Sequence, residues 1–163
     1  MSSEPIKIGI AELKTAFSPA TLFTAGLGSC IGVCLWDPKI KLGGMVHIML
    51  PDSTLGRNHV INKAKYADTG IRALIDEMLS KGANKRRLVA KIAGGAQMFI
   101  MQSNLEMLKI GERNIEAVRN ELKHQNIKLI SEDVGGNYGR TIEFFTENGQ
   151  LLVKSIYKGV KII

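Results

Sequence analysis

Short apolar runs broken by glycine and proline fill the first fifty residues: IKIGIAEL (6–13), LFTAGL (22–27), CIGVCLW (30–36) and LGGMVHIML (42–50). Their length and punctuation predict strands. Over residues 60–80 the period changes, with Ala64, Ala67, Ile71, Leu74, Ile75 and Met78 on one face and Lys63, Lys65, Asp68, Arg72 and Asp76 on the other. This spacing predicts an amphipathic helix ending near Gly82. RLVAKIAGGA (87–96) returns to strand, and residues 112–125 form a second helix with Ile115, Val118 and Leu122 as its buried stripe. IKLISEDV, RTIEFFT and QLLVKSIY are strands again, the last two joined through Glu147-Asn148-Gly149; Asn-Gly is a strong hairpin signal. The order predicts an α+β fold, a layered sandwich of largely antiparallel β-sheet with two main helices packed on it.

The 163 residues fit a single domain spanning 1–163, since the chain shows no repeat, low-complexity tract or linker. With 45% apolar and 23% charged residues the composition is that of a globular protein. The N-terminus carries Glu4 and Pro5 and has no long apolar run, so neither a signal peptide nor a membrane span is expected. Cys30 and Cys34, if the stretch between them is extended, lie ~13 Å apart, too far for a bridge. Free thiols suit a reducing compartment, and a cytoplasmic location is expected.

A formal charge of +7 raises the question of an acidic partner. The densest basic run, Lys81, Lys85, Arg86, Arg87 and Lys91, contains no aromatic to stack a base, which argues against nucleic acid. A solvated helix end and contact with an acidic protein surface both remain open readings of it.

The candidate chemistry lies in CIGVCLW-DPKI-KLGGMVHIML, read as a hairpin with Pro38 at the second position of its turn. If Asp37 and Ile40 close the turn, Cys30 stands directly opposite His47, within reach of a thiol–imidazole hydrogen bond. The Gly43-Gly44 pair could insert a bulge that alters this register. A Cys and a His in contact can exchange a proton to give the nucleophilic thiolate. The approach GLGSC would let the chain turn sharply, so that N–H groups around Gly28, Ser29 and Cys30 could hold an oxyanion. The alternative is a buried thiol and a satisfied core imidazole. Cys34, mid-strand, reads as a small core residue; His59 and His124 read as surface residues. No short-spaced Cys or His sets suggest zinc, and neither GxxxxGK[ST] nor GxGxxG is present, so neither a metal nor a nucleotide cofactor is expected. Met45, Met49, Met98, Met101 and Met107 read as core filler or as an adaptable protein-binding surface.

Six elements occur in order over roughly residues 20–155: TAGLGSC (24–30), GGMVHIMLP (43–51), AKYAD (64–68), KIAGGAQM (91–98), IGERN (110–114) and DVGGNYGR (133–140). Together they resemble the bacterial chemoreceptor glutamine deamidases known as CheD. The resemblance implies a nucleophile at Cys30, a catalytic histidine at His47 and a third member at Thr24, six places before the cysteine. One departure is Ala93, where the family commonly has a bulky aromatic.

The resemblance further implies hydrolysis of particular receptor glutamines to glutamate with release of ammonia, through a thioester on Cys30. Thr24 would orient the imidazole, as a carboxylate does in other triads. The implied partners are the cytoplasmic domains of chemoreceptors and a CheC-type phosphatase of the response regulator. Two alternatives stand beside this reading: a mainly non-catalytic adaptor acting through the phosphatase, and a more general thiol amidase or esterase.

Overall fold

The computed structural model describes residues 4–55, 62–98 and 109–163. Among these residues ten strands run β1 Ile6–Lys7, β2 Leu13–Phe17, β3 Thr21–Leu27, β4 Ile31–Asp37, β5 Leu42–Ile48, β6 Val89–Gly94, β7 Lys128–Val134, β8 Arg140–Phe145, β9 Leu151–Ser155 and β10 Gly159–Ile162. Helix α1 spans Ala67–Ser80 and α2 spans Ile110–His124. The strands form two five-stranded sheets, ordered β1-β3-β8-β9-β10 and β2-β5-β4-β6-β7. Pairing is antiparallel except for β1 with β3 and β6 with β7, so the architecture is the expected α+β sandwich.

Three layers follow from where the apolar residues point. Ile31, Val33, Leu35, Val46 and Ile48 meet Ile71, Leu74, Ile75, Val118 and Leu122 of the helices. On the other face of the same sheet, Cys34, Met45 and Ala93 meet Leu22, Leu27, Ile142, Phe144 and Leu151 of the first sheet. Strands β4 and β5 are therefore buried on both faces, which is why their sequences are continuous apolar runs without alternation. β8 instead alternates buried and half-buried positions, as a strand covered on one face does.

The hairpin register differs from the expectation. Asp37 pairs with Leu42, so the loop holds four residues, 38–41, with Lys41 at φ 51°, and His47 lies opposite Gly32. The displacement is by two residues, which preserves the face each side chain occupies. No bulge is present at Gly43-Gly44: the ladder is continuous from Ile31↔Ile48 to Asp37↔Leu42. Those glycines serve close packing instead. A Cβ on Gly43 would lie 2.7 Å from Thr146, just past the end of β8, and one on Gly44 2.7 Å from Leu74 of α1.

Other boundaries shift for local reasons. IKIGIAEL is two strands in different sheets, broken at Ala11, whose φ is 59°. α1 begins at Ala67 because Lys63–Lys65 forms a separate 3-10 turn, capped by Asn62, and Tyr66 is extended and bridges Leu50. QLLVKSIY turns after Ser155 and returns as β10, leaving Ile156 and Tyr157 exposed at the tip. The Asn148-Gly149 hairpin forms as expected, with Gly149 at φ 74°.

Three residues of the basic run are engaged within the chain. Arg87 is bound bidentately by buried Asp37, with both contacts at 2.9 Å. Lys81 reaches Glu77 and Thr15, and Lys91 donates to the carbonyl of Ile163. No helix among the described residues is long and apolar enough to cross a membrane.

Candidate active site

The site forms where the chain crosses from one sheet to the other. β3 carries Thr24 on its inward face, its pairing with β8 shifts between Thr24 and Leu27, and Gly26 takes φ 71°. Gly28, Ser29 and Cys30 then bridge to β4 of the second sheet. His47 stands near the end of β5, opposite Gly32. Cys30, two residues before Gly32, packs with the residues between the sheets. Cys30 and His47 therefore share one face, and His47 meets Thr24 across the gap between the layers.

Thr24 Oγ1 lies 2.7 Å from His47 Nδ1 and 2.7 Å from the carbonyl oxygen of Ile8. A hydroxyl has one proton. A carbonyl can only accept, so that proton goes to Ile8, and Thr24 accepts from Nδ1–H. The histidine is thereby held as the Nδ1–H tautomer, with a lone pair on Nε2. Nε2 is buried and has no hydrogen-bond partner among the described residues, Cys30 included, so the expected thiol–imidazole hydrogen bond is not formed in this structure.

Both reactive groups are uncharged at rest. Burial pushes the His47 pKa down to about 4 and the Cys30 thiol up from its ordinary value. The resting pair is thus thiol and neutral imidazole, not the preformed ion pair that the residue types alone allow. Cys34 is fully buried and its thiol is pushed up further; both cysteines are free.

The backbone around Cys30 is tied on several sides. Its carbonyl accepts from Gly95 N–H at 2.9 Å, and the Gly28 carbonyl from Ala96 N–H at 2.8 Å. Gly28 N–H donates to Gly26, which removes it from the expected set of oxyanion donors. Past His47, the N–H groups of Met49 and Leu50 donate to Lys65, and the Asp68 carboxylate accepts from Ser53 N–H and Oγ. Buried Arg140 donates to the carbonyl of Gly135, whose own N–H meets Gly94. Four of the six sequence elements thus meet at the loop holding Cys30 or at the end of β5; DVGGNYGR reaches them through Gly94, and IGERN through Asn114, which donates to the carbonyls of Ser29 and Met49, and Gly111, packed on Ala96.

A scan against family models matches residues 49–155 to CheD, described as CheD chemotactic sensory transduction. Among curated proteins, a probable chemoreceptor glutamine deamidase CheD of Caldanaerobacter subterraneus subsp. tengcongensis is 53% identical over 163 residues, all of both chains. The chemoreceptor glutamine deamidase CheD of Halalkalibacterium halodurans is 48% identical over 99% of each chain. That of Bacillus subtilis is 46% identical over 97% of this chain and 95% of its own. The chain belongs to the CheD family.

Within this CheD chain the remaining sequence candidates fall outside the site. His124 ends α2 and is exposed, and His59, Met101 and Met107 lie outside the described residues. Met45 is core, while Met98 is 45% exposed beside Gly28. Among the described residues no cluster of three or more His, Cys, Asp or Glu could hold a metal ion. A hollow of about 640 Å³ on the outer face of the first sheet, lined by Phe23, Tyr138, Leu152 and Tyr157, shares no residue with Cys30, His47 or Thr24.

The roles of the KIAGGAQM and IGERN elements are visible only in the fold. Gly94 has φ 119°, and a Cβ there would lie 2.1 Å from the Cys30 carbonyl oxygen. Gly94→Ala is expected to destabilise the fold by roughly 2–4 kcal/mol, from overpacking against backbone together with left-handed strain. Urea unfolding checks this, and an unchanged midpoint would show that the loop yields freely. Asn114 carried a readable signal: it is a polar residue on the buried face of α2, beside Ile115 and one turn before Val118.

Proposed function

We propose that this chain is a chemoreceptor glutamine deamidase in which Cys30 is the nucleophile, His47 the general base and acid, and Thr24 the residue that orients the imidazole. The observation that carries the reading is the hydrogen-bond chain Ile8–Thr24–His47, which leaves Nε2 unprotonated on the face shared with Cys30. As Sγ attacks the glutamine amide carbon, Nε2 takes the thiol proton, and the carbonyl electrons move onto oxygen. The N–H groups of Ser29 and Cys30 are the donors assigned to that oxyanion. The imidazolium then gives its proton to the amide nitrogen, the C–N bond breaks and ammonia leaves. Water attacks the thioester, Nε2 takes its proton, and cleavage of the C–S bond yields glutamate and the regenerated thiol.

A neutral hydroxyl stabilises imidazolium less than a carboxylate does, which makes slow turnover the expected behaviour. Thr24→Val is expected to lower kcat roughly tenfold or more, because the ring loses its orienting acceptor, while Thr24→Ser stays near wild type. Ammonia release from a receptor cytoplasmic domain measures both. Release of no ammonia by the wild-type protein on a matched receptor would overturn the deamidase reading, and equal rates for the two variants would remove Thr24 from the mechanism.

The same proposal includes a cytoplasmic location, beside the receptor domains, and association with a CheC-type phosphatase. These rest on the family resemblance, the free thiols and the formal charge of +7. If the phosphatase surface is acidic, association slows as salt rises.

A further inference from the structure

Three consecutive carbonyls around the nucleophile are each held by a donor. Gly28 O accepts from Ala96 N–H at 2.8 Å, Ser29 O from Asn114 Nδ2 at 2.9 Å, and Cys30 O from Gly95 N–H at 2.9 Å. In a planar trans peptide the carbonyl and the N–H of the same unit point in opposite directions. Holding the Ser29 carbonyl toward α2 therefore aims the Cys30 N–H away from it, and holding the Gly28 carbonyl does the same for the Ser29 N–H. Two of the three donors are backbone groups of the Gly94-Gly95-Ala96 turn. The one side chain is Asn114.

Asn114 is fully buried, and its second Nδ2 hydrogen goes to the carbonyl of Met49 at 2.9 Å, two residues past His47. Of the two ends of the side-chain amide only the nitrogen can donate to two carbonyls, so its orientation is fixed by its partners. One residue thus clamps the loop that carries the nucleophile to the end of the strand that carries the base. Its helix is seated close by Gly111, where a Cβ would lie 2.3 Å from the Ala96 carbonyl. We infer that Asn114 is a positioning residue that presets the Cys30 N–H as an oxyanion donor and ties the Cys30 loop to the His47 strand. This inference rests on the reading of Cys30 as the nucleophile, but its test does not require the receptor.

Two reactions of the same thiol separate positioning from general structural damage. Acylation by p-nitrophenyl acetate passes through a tetrahedral oxyanion, whereas alkylation by iodoacetamide is a displacement at carbon that forms none. In Asn114→Ala and in Asn114→Leu, which keeps the volume but has no donor, Cys30 acylation is expected to fall about 10- to 100-fold with alkylation within about twofold, less than the ~10²–10³ of an oxyanion donor removed outright because the Cys30 N–H remains but is no longer held in place. Peptide mapping locates both labels on Cys30, and thermal midpoints report the fold. Asn114→Ser, which restores one donor in a small side chain, covers the case in which the first two do not fold and is expected to show the same selective loss to a lesser degree. Equal losses in acylation and alkylation would overturn the inference, as would unchanged acylation in a folded variant. A wild-type protein that acylates normally but leaves receptor glutamine intact would sink the deamidase reading, while the ratio of the two rates still decides the role of Asn114.

Discussion

Cys30→Ala is expected to lower receptor deamidation by about 10⁴-fold or more, the scale on which removal of a covalent nucleophile acts. The fold is expected to survive, because the loop is held through backbone groups: Gly28 O to Ala96, Ser29 O to Asn114 and Cys30 O to Gly95. Removing a half-buried sulfur leaves all of them in place. Cys34 cannot substitute, since it is fully buried in β4 and its thiol is held protonated by burial. Rates of ammonia release together with thermal midpoints check both halves of the prediction. Substantial activity in the folded variant would show that the chemistry lies elsewhere.

His47→Ala is the second large effect, expected at about 10²- to 10⁴-fold in kcat, as loss of a positioned general base and acid. The environment of His47 also sets the pH behaviour. With its pKa pushed down to about 4 by burial, the imidazole is already neutral at mildly acid pH, so kcat/KM of the wild type is not expected to show a His47 limb near pH 6.5. The raised Cys30 pKa extends the thiol–imidazole form toward alkaline pH, so kcat/KM is expected to stay level until the thiol titrates and to fall beyond that, where no proton is left for the departing ammonia. Stability follows from the same shift. Between pH 6.5 and about 4 the unfolded chain binds a proton at His47 that the folded chain does not, so the wild type loses stability as pH falls through that window. His47→Gln cannot take up that proton, and its urea midpoint is expected to fall less over the same window. Parallel midpoints for the two proteins would show that His47 is not buried as a neutral base.

The layers, the strand content and the face shared by Cys30 and His47 were all legible, because each follows from hydrophobic period and strand alternation. The register was not. Asp37, Pro38 and Ile40 permit a shorter turn, but the hairpin closes at Asp37 and Leu42 with Lys41 at φ 51°, a conformation its residue type does not announce. The face nevertheless came out right, since a two-residue displacement leaves alternation unchanged. Gly43-Gly44 misled for a related reason: paired glycines signal close approach as well as bulges, and here Leu74 and Thr146 occupy the space their side chains would take. Asn114 and Gly94 act on groups 85 and 64 residues away in the chain, through a side-chain amide and a missing Cβ. Periodicity marks Asn114 as a polar residue on a buried helix face, but it carries no trace of the partners of either residue.

Hydrolysis of receptor glutamine through Cys30 is tested in water enriched with heavy oxygen. A purified chemoreceptor cytoplasmic domain is incubated with the wild-type protein, and beside it with Cys30→Ala and His47→Ala, and its peptides are mapped by mass spectrometry. Particular glutamines are expected to become glutamates that carry one heavy oxygen, with the wild type alone. Unchanged glutamines with the wild type, or the same labelled glutamates with Cys30→Ala, would contradict it.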